Sequence, residues 1–475
     1  MSPQTRTARW IYAATIAIIL CVLLGQPWFL GGQILEVQIA SSALILLCLT
    51  SLSLESFRSI RTPVVLSALL MGYVLIQYWN PQYEQQWELG LRIWSLAPKD
   101  YIPWLPSSIH SDFTDASPLR FLLIMILGLG LVSCLIQVRS RFHRQYTLPL
   151  IVLNSSCIAI VAIIQLNLDN PSILGLFDAV DEGLPLYFAT FLYKNHAAAF
   201  LNLGLATSIA CFLLAHRKGN RTRTNPRWFF LFCAILILVT VVLSKSRFGF
   251  LCSLGIVAAF LPIAFKLIKS SDASKLLLIG AGVTVTITLI LGSFYLLKET
   301  SAQYLSTLNS EIVDDYSFVQ RTIAYESGLS MFSEAPIYGW GAGNYRHGFR
   351  QFQNLEGEEA LKWGSLKIGQ KNFFWQHAHN DYLEFLIELG VVGTLILFSI
   401  PGYFFWVIFR SGRWKDPVTL MLLAGLASTM VHALIDFPFR NPAVLTTWFA
   451  ILAIAARRCS KSREPTSNDL RKQAV

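Results

Sequence analysis

The chain has 475 residues, of which 54% are hydrophobic and only 14% charged, and its formal net charge is +10. Soluble domains average about 25% charged residues, so this composition excludes a soluble globular protein and predicts one that lies largely in lipid. The eight cysteines show no CxxC spacing, which argues against a disulfide framework and against a cysteine-based metal site.

Twelve apolar runs are long enough to be predicted membrane-spanning helices, since about 20 residues cross the hydrocarbon core. In chain order they cover residues 10–30, 34–54, 63–80, 119–138, 147–168, 195–215, 228–243, 248–268, 276–297, 383–409, 418–435 and 442–456. Arg6 and Arg9 precede the first run as they would in a signal peptide. No small-x-small cleavage site follows it, so we interpret it as an uncleaved anchor. The twelve runs predict an all-α polytopic membrane protein.

Basic residues divide unevenly between the two sides that these spans define. If the N-terminus is cytoplasmic, the inner connections and the two tails hold 24 of the 38 Lys and Arg residues but only five of the 28 Asp and Glu residues. Connections rich in Lys and Arg stay in the cytoplasm, so both termini are predicted to lie there, and the polar tail 457–475 is predicted to be disordered. This distribution explains the positive charge without a nucleic-acid partner.

The two longest connections, 80–118 and 298–382, both fall on the outer side of the membrane. The second is long enough to hold a soluble module. Its spacing of apolar residues predicts a helix over Phe318–Phe332, which Pro336 ends.

Polar clusters interrupt the apolar pattern at four places, and the predicted topology brings all four to the outer face. The first is SKSR, where Lys245 and Arg247 join two spans with almost no loop. Snorkelling of both side chains to the interface is the alternative explanation.

The second cluster begins at Arg321 and ends in GWGAGN. Its alternate glycines, including Gly341 and Gly343, allow close approach of a ligand to the backbone, although a structural turn is the stronger explanation. No GK[ST] follows and no GxGxxG is completed, so neither nucleotide-binding motif is present.

The third cluster is HAHNDYLEFLIELGVVG, which begins at His377 and opens a membrane span. Asp381 and Glu384 fit a capping box, and Asn380 is a further candidate cap. His377 and His379 lie just before the helix start, where anions are favoured. Solvated loop histidines or a metal site are the alternatives, but no HExxH or other zinc pattern is present.

The fourth cluster is HALIDFPFRNP, which contains His432, Asp436 and Arg440. Pro438 and Pro442 break the helix and predict a short hairpin into the last span. A simple ion pair between Asp436 and Arg440 is the alternative to a functional role.

Together the four clusters suit one kind of chemistry. Arginines beside a helix N-terminus form an anion site of the kind that suits phosphate, and a neutral histidine near them is a candidate general base. The outer face offers no nucleotide-activated substrate. The pattern therefore favours a lipid-linked, phosphate-activated substrate.

At these residues the chain resembles the superfamily of O-antigen ligases and polymerases, which are bacterial envelope glycosyltransferases. The resemblance is strongest in HNDYLEFLIELGVVG and is supported by SKSRFG, by the segment ending in GWGAGN, and by HALIDFPFRNP. It covers roughly residues 230–456. The chain departs from the family at Phe248, where relatives often have glycine after the arginine.

The resemblance implies a GT-C-like fold in the bacterial inner membrane that transfers a glycan from undecaprenyl diphosphate to an acceptor hydroxyl on the periplasmic side. It implies His379 as general base, Arg247 and Arg321 as ligands of the diphosphate, and Asp436 as partner of the histidine. Predicted substrate-binding residues are His377, Asn380, Lys245, Arg440, Gly341 and Gly343. No cofactor or metal is predicted. The domain prediction is residues 1–229 as N-terminal spans, 230–456 as the catalytic region and 457–475 as the tail.

The acceptor stays open at this point. It is a lipid A core in a ligase, a growing polysaccharide in a polymerase, or a protein in an O-oligosaccharyltransferase, and membrane lipids and polysaccharide assembly proteins are the remaining candidate partners. A lipid-linked glycan transporter is the alternative of a different class, for which inverted repeats and ionisable residues near mid-membrane would be expected.

Overall fold

The computed structural model describes residues 3–50, 61–88, 93–112, 116–138, 140–168, 172–174, 177–178, 187–218, 226–270, 282, 316–352 and 376–460. Thirteen helices of eight residues or more lie in these ranges. They are α1 Pro3–Gly25, α2 Leu35–Thr50, α3 Arg61–Trp79, α4 Pro118–Leu135, α5 Leu148–Asn167, α6 Lys194–Lys218, α7 Arg227–Leu243, α8 Arg247–Ser270, α9 Tyr316–Glu334, α10 Tyr345–Phe352, α11 Asp381–Arg410, α12 Pro417–His432 and α13 Pro442–Cys459.

Shorter helical turns connect several of these helices. The segment Ser140–Phe142 and a π-helical turn at His143–Thr147 lead into α5. Single 3-10 turns lie at Gln26–Trp28, Leu30–Gly32, Arg413–Lys415 and Pro438–Arg440.

The connection after α3 folds into a small sheet, which is an addition to the predicted all-α architecture. Strand β1 (Pro81–Glu88) pairs antiparallel with β2 (Ile93–Pro98) and parallel with β3 (Ser108–His110). A further two-residue pair joins β4 (Ser172–Ile173) to β5 (Phe177–Asp178). Asn80 ties the sheet to the end of α3, because its side chain bonds both to the amide of Ile102 at 2.8 Å and to the carbonyl of Ile102 at 3.0 Å.

The prediction of an integral membrane protein with many helices is confirmed. Eight helical segments in the described ranges are long and apolar enough to cross a membrane, and three apolar helices are shorter, namely α2, α7 and α12. Eleven of the twelve predicted spans coincide with a helix. Apart from residue 282, the ninth, 276–297, lies outside the described residues, as do 461–475 of the tail and residues 298–315 and 353–375 of the connection 298–382.

The interior of the helical region is formed around α6 and α13, which are buried along nearly their whole length. Helix α6 packs against α7, α8 and α12, and α13 packs against α4, α11 and α12. By contrast, α8 exposes large apolar side chains such as Leu251, Leu261 and Phe265. Exposure of such an apolar face to water is unfavourable, so the face suits contact with lipid.

Helix α11 is broken at Gly390, whose φ of +61° is not helical. The break frees carbonyls that a membrane interior cannot hydrate. The GWGAGN loop supplies hydrogen-bond donors for these carbonyls. The amides of Trp340 and Gly341 donate to the carbonyls of Ile387 and Glu388 at 2.9 Å each. The loop is therefore part of the framework that holds the broken helix α11.

Two polar side chains of α3 complete the bonding at the same break. The Tyr73 hydroxyl donates to the carbonyl of Leu389 at 2.6 Å, and the Gln77 amide donates to the carbonyls of Glu388 at 3.0 Å and Tyr338 at 2.9 Å. These bonds fix the first turns of α11, which carry the candidate site, against α3 and the segment that leads into the GWGAGN loop.

Candidate active site

The N-terminal end of α11 docks onto the hairpin between α12 and α13. Asn380, the further candidate cap, is the N-cap, since its Oδ1 accepts from the amide of Leu383 at 3.1 Å. Asp381 is already the first residue of the helix, so the predicted capping box with Glu384 is wrong. The amide of Asp381 donates to the carbonyls of Ala433 at 3.0 Å and Asp436 at 3.2 Å. Two of the four predicted clusters are thereby joined through the backbone.

His379 is held in a left-handed backbone conformation, with φ of +53°. Such a conformation costs a residue with a Cβ of order 1–3 kcal/mol and is found at functional sites. The Tyr325 hydroxyl donates to the carbonyl of His379 at 3.0 Å, and Asn380 caps the following helix. The side chain of His379 remains 20% exposed, with Nδ1 3.8 Å from Oδ1 of the buried Asp436.

Asp436 is the centre of the polar cluster. Its Oδ1 accepts from the amide of Phe437 at 2.9 Å, and its Oδ2 accepts from Nδ2 of Asn195 and lies 3.9 Å from Nε2 of His432. Burial alone would raise the pKa of Asp436, but His379 and the other histidines around it hold that pKa below its ordinary value. The carboxylate is therefore ionised at neutral pH.

His377 and His379 contact different carboxylates. Nδ1 of His377 lies 2.8 Å from Oε1 of Glu384, whereas His379 faces Asp436. The ring of Phe437 separates the two imidazoles, at 4.3 Å from His377 in a stacked arrangement and at 5.1 Å from His379 edge-on. The histidines are thus two distinct groups on one aromatic platform.

Arg440 lies among carboxylates of α11 and makes no ion pair with Asp436, so the predicted alternative of that pair is wrong. Its guanidinium is 2.6 Å from Glu388, 3.1 Å from Glu384 and 3.9 Å from Asp381. These acids are spaced by three and four residues, which puts them on one face of the helix. The predicted capping-box acids therefore bind the hairpin, and a substrate-binding role for Arg440 stays a prediction.

Arg321, on α9, lies close to Tyr193, whose pKa is raised by burial and lowered by the guanidinium. Tyr325 and His432 are also its neighbours. Burial raises the pKa of Tyr193, so the phenol stays protonated. Arg321 and Asp436 thus lie on two sides of the same small polar region.

The SKSR corner adjoins this region through Phe248. The ring of Phe248 lies 5.5 Å from that of His432, which in turn faces Asp436. Arg247 is the first residue of α8 and is exposed, as is Lys245, whose φ is +55°. The structure brings the corner to the site and leaves both cations accessible.

The glycines of GWGAGN pack against protein. A Cβ on Gly341 would lie 2.5 Å from Cβ of Ser108, and one on Gly343 would lie 3.0 Å from backbone atoms of Ser117. Both glycines have positive φ, at +98° and +76°. These contacts are those of a structural turn, and binding of substrate at either glycine stays a prediction.

Sequence reasoning missed the start of α6. Tyr193, Asn195 and His196 all contact the cluster, with the ring of His196 4.8 Å from that of Phe437. The segment YKNH is polar and begins an apolar span, as HAHND does. This similarity could have indicated that its residues belong to the site.

Comparison with known proteins agrees with this geometry. Residues 232–398 match the family described as O-Antigen ligase. The resemblance to the O-antigen ligase and polymerase superfamily is confirmed. The match includes the SKSR corner, Arg321 and the HAHN segment, whereas Asp436 and Asn195 lie beyond it.

Two curated relatives are similar to parts of the chain. Exopolysaccharide production protein ExoQ of Rhizobium meliloti (strain 1021) is 22% identical over 269 residues, which cover 56% of this chain and 57% of ExoQ. Probable peptidoglycan glycosyltransferase FtsW of Thioalkalivibrio sulfidiphilus (strain HL-EbGR7) is 32% identical over 88 residues, 18% of this chain and 22% of that protein. The chain thus spans little more than half the length of the first relative and about a fifth of the second.

Proposed function

We propose that this membrane glycosyltransferase of the O-antigen ligase and polymerase kind moves a glycan from undecaprenyl diphosphate to an acceptor hydroxyl. The observation that carries the proposal is the convergence of His379, Asp436 and Arg321 on one polar region, with Arg247 accessible beside it. The catalytic region is 230–456, completed by the start of α6 from the N-terminal spans. A GT-C-like arrangement of the helices accompanies this proposal.

In the proposed reaction the bond between the anomeric carbon and the diphosphate breaks, and the acceptor oxygen bonds to that carbon. Asp436 faces Nδ1 of His379 at 3.8 Å, and in the proposed reaction Nε2 accepts the proton of the acceptor hydroxyl. Undecaprenyl diphosphate departs with its electron pair, and Arg247 and Arg321 offset its charge. Cationic side chains can supply this stabilisation without a divalent metal ion.

The acceptor that we favour is a growing polysaccharide. Support comes from the relative ExoQ, an exopolysaccharide production protein that is similar over more than half of the chain. Transfer to a lipid A core or to a protein uses the same chemistry at His379, and the product identifies which acceptor is used.

The experiment is a transfer assay on purified protein with an undecaprenyl-diphosphate-linked glycan and glycan acceptors, with and without EDTA. We expect a covalent product, release of undecaprenyl diphosphate, and equal rates in EDTA. Movement of the donor across vesicles without any covalent product would favour the transporter instead, and a rate lost in EDTA but restored by Mg²⁺ would overturn metal independence.

We place the site on the periplasmic face of the bacterial inner membrane, with both termini in the cytoplasm, because the basic residues concentrate on the opposite side. A cysteine at exposed Glu334 should react with a membrane-impermeant maleimide in cells with a permeabilised outer membrane, and one at exposed Arg413 should react only after lysis. The reverse pattern would contradict this orientation.

A further inference from the structure

The start of α6 is rigidly seated beside the site. The carbonyl of Tyr193 accepts from the amides of His196 at 3.1 Å and Ala197 at 3.2 Å, which begins the helix. Just before it, Phe188 and Phe191 exchange backbone hydrogen bonds of 3.0 Å, and the Phe191 ring is fully buried. The backbone from which the side chains of this turn project is therefore held in place.

Asn195 bridges the two sides of the polar region. Its Nδ2 donates both to the Tyr193 hydroxyl, at 2.8 Å, and to Oδ2 of Asp436. Arg321 lies close to the same phenol, where it counteracts the rise in the pKa of Tyr193 that burial causes. One amide group thus joins the Arg321 side to the carboxylate that faces His379.

The two bonds to Asp436 determine the plane of its carboxylate. The amide of Phe437 binds Oδ1 at 2.9 Å and Asn195 binds Oδ2. Rotation about the last side-chain torsion of an aspartate is otherwise broad. With both oxygens held, Oδ1 is kept toward Nδ1 of His379.

We infer that Asn195 is a positioning residue, which orients Asp436 and through it the imidazole of His379. This inference rests on the proposed function, because it assumes that His379 is the base. Asn195 itself touches neither the acceptor nor the diphosphate in this assignment. Its loss should therefore lower kcat and leave the affinity for the lipid donor unchanged.

The first variant is Asn195→Ala, for which we expect kcat to fall about ten- to a hundredfold, the effect that removal of an orienting partner has at metal-bound histidines. The matched control is Asn154→Ala. Asn154 is also half-buried and joins two partners, Trp28 at 2.8 Å and the carbonyl of Leu24 at 3.1 Å, away from the site. Equal losses of kcat in both variants would reduce Asn195 to a structural residue.

The second variant is Asn195→Asp, which preserves shape and tests the role through pH. The new carboxyl group donates to Asp436 only while it is protonated, and once ionised it repels that carboxylate. The ratio of the variant rate to the wild-type rate should therefore fall as pH rises. A ratio independent of pH would overturn the inference even if Asn195→Ala fails to fold.

His379→Ala, measured in parallel, separates this inference from the proposed function. If His379→Ala transfers glycan at the wild-type rate, His379 is not the base, and the proposed function is wrong. If His379→Ala is inactive while Asn195→Ala retains wild-type kcat, only the positioning role is wrong.

Discussion

Replacement of His379 by alanine is expected to reduce glycan transfer at least about a hundredfold, because general base catalysis contributes roughly 10²- to 10⁴-fold. The affinity for the lipid donor should stay unchanged, since the arginines and not His379 are assigned to the diphosphate. His379 faces Asp436 at 3.8 Å and is 20% exposed, so its removal leaves the carboxylate with its bonds to Asn195 and Phe437. The measurements are single-turnover transfer and binding of a labelled donor.

His377→Ala is the matched comparison for that prediction. Both histidines lie on the HAHN segment and contact the ring of Phe437, but His377 faces Glu384 at 2.8 Å. We expect His377→Ala to retain much more activity than His379→Ala. Comparable losses in the two variants would mean that the sequence and the geometry have selected the wrong imidazole.

Substitution of Arg321 by alanine is expected to weaken donor binding roughly ten- to a hundredfold, because a hydrogen bond to a charged group contributes about 1.5–3 kcal/mol. Transfer should fall further than binding, since charge on the departing diphosphate grows in the transition state. The same substitution removes the positive charge that lies beside the Tyr193 phenol. The measurements are donor affinity and kcat on the purified variant.

Two further variants test whether the charge or the shape of Arg321 matters. Arg321→Lys retains the charge but loses the two-pronged geometry of the guanidinium, so we expect an intermediate donor affinity. Arg413→Ala removes a cation from an exposed turn after α11 and should leave donor affinity unchanged. Unchanged donor affinity in Arg321→Ala would contradict the assignment of Arg321 to the diphosphate.

Arg440 is a poor probe of donor binding, although the sequence pattern points to it. Its guanidinium lies within 4 Å of three carboxylates of α11, which are buried. Removal of one partner of a buried ion pair costs about 3–5 kcal/mol. Lost activity in Arg440→Ala would report damage to the hairpin and to α11 as readily as loss of a phosphate ligand.

Much of the framework follows from the sequence because lipid imposes simple rules. Eleven predicted spans coincide with helices, since the hydrocarbon thickness fixes their length. Asn380 caps α11 and Pro442 begins α13, as local residue chemistry predicts. The alternation of sides predicts that the four polar clusters lie on one face. The structure brings Arg321, His379 and Asp436 to a single region, which the SKSR corner adjoins through Phe248.

Contacts between distant segments could not be predicted from the sequence, because no local sequence pattern records how each helix is rotated against its neighbours. In the sequence Gly390 looks like one more residue of an apolar helix. The side chains that bond the carbonyls freed by the break belong to Tyr73 and Gln77, more than 300 residues away. The pairing of Arg440 with α11 depends on how the hairpin folds back. Asn195 was missed for the same reason, since only the tertiary fold brings it to Asp436.

The most direct test of the central claim is a paired measurement on wild-type protein and His379→Ala, purified in the same detergent. Each sample is given a labelled undecaprenyl-diphosphate glycan, and bound donor and covalent product are quantified in a single turnover. The account predicts equal amounts of bound donor and product only in the wild type. Product formed at the wild-type rate by His379→Ala would contradict it.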